Sequence, residues 1–116
     1  VDQLMRVDSL NMTAKDREYI RQKVFGTNSP HILITHGTDG MVETASYLQG
    51  MEGKTIVLTG ALQPAAFSEN DAVFNIGCAV GGIQTLREGV YIAMNGQIFD
   101  VDKVQKNRKE NRFESI

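Results

Sequence analysis

Apolar residues along this chain come in short blocks of two kinds. Compact, β-branched runs such as Ile32 to Thr35, "KTIVLTGA" and "GVYIAMNG" alternate with stretches whose apolar positions recur three or four residues apart. The alternation predicts an α/β layer structure with a mostly parallel sheet. In chain order, Leu4 to Val7 reads as a short strand, and a helix begins at Thr13. Thr13 and Asp16 there have the spacing of a capping box, Ile20 and Val24 supply an apolar face, and Gly26 ends the element. Ile32 to Thr35 reads as a buried strand. Met41, Val42, Ala45 and Leu48 give a second helix, broken by Gly50 and Gly53.

"KTIVLTGA" is the next buried strand, followed by a loop through Pro64. Ser68 and Asp71 repeat the capping-box spacing and open what reads as the longest helix, with Val73, Ile76, Val80 and Ile83 on one face. "GVYIAMNG" is a further strand, "QIFD" a short return strand, and the segment beginning "KVQKNRKENR" reads as a polar, solvated tail. Gly77, Gly81 and Gly82 fall inside the longest helix, where each costs about 1 kcal/mol relative to alanine. Two offsets stay open: tight packing of Gly77 and Gly81 on the chain's own sheet, or a close helix contact with a second subunit.

Composition narrows the classes. At 116 residues the chain is long enough for one core, and its net charge of −2 offers no field for nucleic acid or anionic lipid. No run approaches the roughly 20 apolar residues of a membrane span. Cys78 is the sole cysteine and reads as core filling. With only His31 and His36 besides, no metal site is expected. His36 reads as a structural hydrogen-bonding group rather than a proton shuttle.

The chemistry concentrates in "LITHGTDGMVET". A hydroxyl and a carboxylate, Thr38 and Asp39, stand between Gly37 and Gly40 where a strand gives way to a helix. Ligands of open α/β sheets gather at that end. From spacing alone two roles remain open, the cap of the next helix or a catalytic pair.

"THGTDGMVETA" resembles the signature of the bacterial-type asparaginase/glutaminase family. So, in order, do "VDSLNMT", "TIVLTGALQPAAFSENDAVFN" and "VYIAMNGQIFD" with the following "KVQKN". The resemblance implies a three-layer α/β/α, Rossmann-like domain over residues 1–116 and a threonine-centred amidohydrolase that releases ammonia from asparagine or glutamine. It implies Thr38, Asp39 and Lys106 as catalytic residues. Ser9, Gly37, Asp39 and Ala61 would bind the substrate, with Asp39 on its ammonium, Ser9 on its carboxylate and Ala61 offering backbone groups to the amide. It further implies no cofactor, a small amino-acid substrate, a homo-oligomer and the cytoplasm.

A "TGGTI" loop carrying a second catalytic threonine belongs to the same pattern and has no counterpart here. The chain is therefore expected to lack its N-terminal strand and nucleophile loop. Gly40 stands where the family usually has threonine, and Leu10 where many members have glutamine. Two other readings remain open: a non-catalytic amino-acid-binding module, and an amidase subunit of a larger complex.

Overall fold

The computed structural model describes residues 8–63 and 70–116. The strand read at Leu4–Val7, the loop at Pro64 and the Ser68 half of the second capping box lie outside these. Thr13 caps the first helix, α1 (Ala14–Gly26), and the capping box is complete: Thr13 accepts from the Asp16 N–H while Asp16 accepts from the Thr13 N–H. Strand β1 (His31–Thr35) leads through a single turn of 3₁₀ helix at Thr38–Gly40 into α2 (Met41–Tyr47). Strand β2 (Thr55–Thr59), helix α3 (Ala72–Ile83) and strand β3 (Gly89–Met94) follow. An Asn95-Gly96 turn, both residues at positive φ, reverses β3 into β4 (Gln97–Asp100).

β1, β2 and β3 are parallel neighbours, paired from His31↔Thr55 and Thr55↔Gly89 onward, and β4 runs antiparallel to β3. Side-chain alternation then separates two cores. Ile56 and Leu58 of β2 join Ile20, Val24, Met41 and Ala45 from α1 and α2, and Leu48 just past α2, on one face. Val57 and Ala93 meet Ala79 and Ile83 of α3 on the other. The architecture is the expected α/β/α sandwich.

Four local expectations need correction. β1 has only one neighbour among the described residues, so Ile32, Leu33 and Ile34 are half-buried rather than buried. α1, at 13 residues, is longer than α3, at 12. The buried face of α3 is Asn75, Ala79 and Ile83, whereas Val73 is 83% and Val80 48% exposed. Finally, the polar segment is no free tail. Val104–Asn107 (β5) and Arg112–Ser115 (β6) form an antiparallel hairpin held by Val104 and Phe113, both in the core under α2.

The glycines of α3 divide accordingly. Among the described residues, nothing outside the helix's own backbone lies within 4 Å of where a Cβ would stand at Gly77 or Gly81, so neither packs tightly on its own sheet. Gly82 does, since a Cβ there would run into the Ile98 side chain. Gly77→Ala therefore raises the unfolding free energy by about 1 kcal/mol. Gly82→Ala gains less, because the end of the Ile98 side chain must turn aside to admit the methyl. Urea melts of the two variants check the assignment, and an equal or larger gain at Gly82 would contradict it.

Candidate active site

The carboxyl ends of β1 and β2 open onto one region, as parallel sheets dictate. The His36 N–H carries the pairing one residue beyond β1, donating to the Thr59 carbonyl at 2.9 Å. The chains are so close there that a Cβ at Gly60 would collide with the His36 carbonyl oxygen. Past Gly37 the backbone turns once through Thr38–Gly40 before α2. Gly37 (φ −62°) and Gly40 (φ −110°) use no positive φ. Their need is proximity: a Cβ at Gly37 would stand 2.7 Å from Ser9 Oγ, and one at Gly40 2.7 Å from the Ser9 carbonyl oxygen.

Neither Thr38 nor Asp39 caps a helix. The cap positions of the turn and of α2 fall on Gly37 and Gly40, which have no side chain to offer, and both polar groups point elsewhere. Lys106, on β5, donates to Thr38 Oγ1 at 2.9 Å and to Asp39 Oδ1 at 2.7 Å, across 68 and 67 residues of chain. Its side chain is only 11% exposed. Val104 and Lys106 share one face of β5, and Lys106 pairs in register with buried Phe113, so the lysine stem runs along apolar surface while its head reaches the turn. Arg108 adds a second cation, its Nε 3.5 Å from Asp39 Oδ1 and its Nη2 donating to the Asp39 carbonyl at 3.3 Å. The hydrogen bond from Lys106 holds the Asp39 carboxyl below its ordinary 3.8; burial opposes this, and the charges of Lys106 and Arg108 reinforce it.

Ser9 is buried against the same turn and accepts from the Gly40 N–H at 3.0 Å, which leaves its own hydroxyl hydrogen to donate. Thus Ser9, Gly37, Thr38, Asp39 and Lys106 are brought together. Ala61 lies half-buried at the same end of the sheet, but no hydrogen bond among the described residues joins it to the others. What steadies its segment is Asp71, which accepts from the N–H groups of Leu62 and Gln63 at 3.0 and 3.1 Å. Asn75, fully buried, donates to the Gly60 carbonyl and to Asp71 and accepts from the Asn95 N–H. Burial works against the Asp71 charge, yet these donors together keep its carboxyl below the ordinary range.

Several contributors went unread in the sequence. Arg17 donates from Nε to Thr44 Oγ1 at 3.0 Å and from Nη1 to the Met12 carbonyl at 3.0 Å. Thr44 Oγ1 lies 2.8 Å from His36 Nε2, and His36 Nδ1 lies 2.7 Å from the Gly37 carbonyl oxygen. His36 is thus a structural hydrogen-bonding group. Burial holds its pKa below the ordinary 6.5, with the Arg17 charge acting the same way and the Gly37 bond opposing. A signal did exist: Arg17 falls on the Ile20–Val24 stripe, and a charged residue on a helix's apolar face needs buried partners. Among the described residues no three His, Cys, Asp or Glu side chains converge as metal ligands do, and no helix is long and apolar enough to cross a membrane.

Comparison with known proteins places the chain in a family. The family model of the asparaginase N-terminal region matches residues 1–116. The glutaminase-asparaginase of Pseudomonas fluorescens is 36% identical over 91 residues, 72% of this chain and 25% of that protein. A glutamyl-tRNA(Gln) amidotransferase subunit of Methanococcus vannielii is 42% identical over 71 residues, 60% of this chain and 17% of that protein. The crystal structure of a probable cytoplasmic L-asparaginase from Campylobacter jejuni superposes with a TM-score of 0.87 at 30% identity, covering 98% of this chain and 40% of the other. The chain spans about a quarter of the length of curated relatives such as the Pseudomonas enzyme. With the whole of its length matched by the family model, the chain belongs to the asparaginase family.

Proposed function

We propose that this chain carries part of the active site of an amidohydrolase that releases ammonia from the side-chain amide of L-asparagine, or less readily L-glutamine. The observation that carries the reading is the bridge from Lys106 Nζ to Thr38 Oγ1 and Asp39 Oδ1, within a turn closed by Ser9. A threonine hydroxyl is a weak nucleophile until its proton is taken, and Lys106 Nζ, lying between Thr38 Oγ1 and Asp39 Oδ1, is placed to receive that proton as it passes one of its own to Asp39. The Thr38 oxygen attacks the amide carbon or orders the water that does. Lys106 passes a proton to the departing nitrogen as its bond to carbon breaks; where Thr38 has attacked, water then cleaves the resulting ester and restores the hydroxyl, so that water adds overall and ammonia leaves. Backbone groups at Ala61 face the carbonyl oxygen as charge develops on it.

Asp39 receives the substrate ammonium and Ser9 donates to its carboxylate. No cofactor enters this chemistry. The reading includes the cytoplasm as its compartment and a homo-oligomer as its working form, with Val73, Phe74 and Val80 of α3 exposed and available to a second copy. A second reading, an amidase subunit of a larger complex, is favoured by the likeness to the Methanococcus amidotransferase component. Ammonia release from free asparagine in the absence of any RNA separates the first reading from one that depends on a tRNA complex.

Two experiments test the assigned roles in the protein expressed from its complete coding sequence. Thr38→Ala and Lys106→Met each lower kcat by about 10²- to 10⁴-fold, the range of a positioned proton-transfer group, in an ammonia-release assay. Near wild-type turnover in either would sink the mechanism. The Asp39 carboxyl titrates below 3.8 in the wild type and moves up towards it in Lys106→Met, read by carboxyl-carbon NMR. Because the folded value is depressed, its contribution to stability is present above 3.8 and is lost as pH falls through the folded value. An unmoved midpoint in Lys106→Met would show that the lysine does not govern that charge.

A further inference from the structure

We infer that Arg17, acting through Thr44 and His36, is a positioning residue that sets the Ser9 segment and the Thr38 turn in register with each other; the inference rests on the amidohydrolase reading for its catalytic consequence. Arg17 is 3% exposed, and its guanidinium serves several elements at once. Nη1 holds the Met12 carbonyl, at the end of the segment that carries Ser9. Nη2 lies 3.5 Å from Glu43 of α2 and 2.8 Å from where a Cβ of Gly40 would stand, so it presses on the turn itself. Nε donates to Thr44 Oγ1, on the buried face of α2.

The proton order along the remaining contacts is forced. The Gly37 carbonyl can only accept, so His36 Nδ1 carries the hydrogen. Neutral imidazole then leaves Nε2 as an acceptor, and the Thr44 hydroxyl donates to it while accepting from Arg17. The chain therefore runs Arg17 to Thr44 to His36 to the Gly37 carbonyl, whose peptide carries the Thr38 nitrogen. Ser9 closes the circuit from the other side by accepting from the Gly40 N–H. Among the described residues no buried side-chain nitrogen or oxygen is left without a partner; the Thr44 hydroxyl also lies 3.5 Å from Met12 Sδ, a far weaker acceptor than the imidazole nitrogen. A shift of about 1 Å between the group that grips a substrate and the group that attacks it costs on the order of 10²-fold in rate.

The hydroxyl of Thr44 can be removed without touching either end. Thr44→Val in the full-length protein lowers kcat/KM for asparagine by at least about tenfold, with a raised KM, whereas Thr44→Ser, which restores the hydroxyl, stays within about twofold. Equal behaviour of the two variants, or a wild-type kcat/KM in Thr44→Val, overturns the inference. Two measurements stand apart from catalysis. In ¹⁵N spectra the His36 ring is protonated at Nδ1, and protonation at Nε2 overturns the network. Backbone amide shifts of both Ser9–Asn11 and Gly37–Gly40 move in Thr44→Val and return in Thr44→Ser. Movement confined to α2 overturns the coupling. Aspartate titrated by calorimetry, together with the ammonia assay on the wild type, tests the amidohydrolase reading itself: no binding and no turnover defeat that reading alone, and the spectra still decide the positioning role.

Discussion

A nearly buried ammonium group, Lys106 Nζ, must find its anion, and much of the carboxyl end of this molecule is arranged around that need. Removing a charge from water costs several kcal/mol unless it is paired and hydrogen-bonded. Lys106 meets both conditions only by reaching Asp39 and Thr38, on a turn 67 and 68 residues earlier. The hairpin β5–β6 can therefore settle on α2 only where its lysine lands on that turn. The turn, in turn, keeps two polar side chains aimed away from any helix end because a cation waits there. Three groups, Lys106, Thr38 and Asp39, thereby fix how two distant parts of the chain meet.

That instruction works because the turn is already rigid. On one side Ser9 and Arg17 press so closely that Gly37 and Gly40 admit no side chain. On the other, Asn75 and Asp71 tie the Gly60–Gln63 segment to α3 and to the Asn95 turn. Buried polar groups of this kind add little net stability when satisfied, but they exclude alternative arrangements, since any slip leaves a donor or acceptor without water and without a partner. Layer packing from Ile56, Leu58 and Val57 supplies cohesion, and the polar network supplies register.

Elements with local signals were legible. The Thr13–Asp16 capping box, the β-branched blocks at Ile32–Thr35 and Thr55–Thr59, and the short return strand at Gln97–Asp100 all act within a few residues, so their physics is written in the adjacent sequence. α3 was misread because its sheet-facing side is lined by small and polar residues. Asn75, Ala79 and Gly82 allow close approach to β2 and Ile98, while the larger Val73, Phe74 and Val80 face outward. A hydrophobic stripe marks the buried face only when the neighbouring surface leaves room for it. The hairpin was missed because two apolar anchors, Val104 and Phe113, are too few to show a period among so many charges.

By itself the sequence determined the alternation of strands and helices, the strand-end position of Thr38 and Asp39, and, through resemblance, which lysine to look for. It could not say that Arg17, Thr44 and His36 belong to one hydrogen-bonded chain, nor that Arg108 joins Lys106 at Asp39. Those are contacts between residues far apart along the chain. A residue type reports what a side chain can donate or accept, but only the packed layers decide which donor meets which acceptor, because removing both from water is what makes the pairing obligatory.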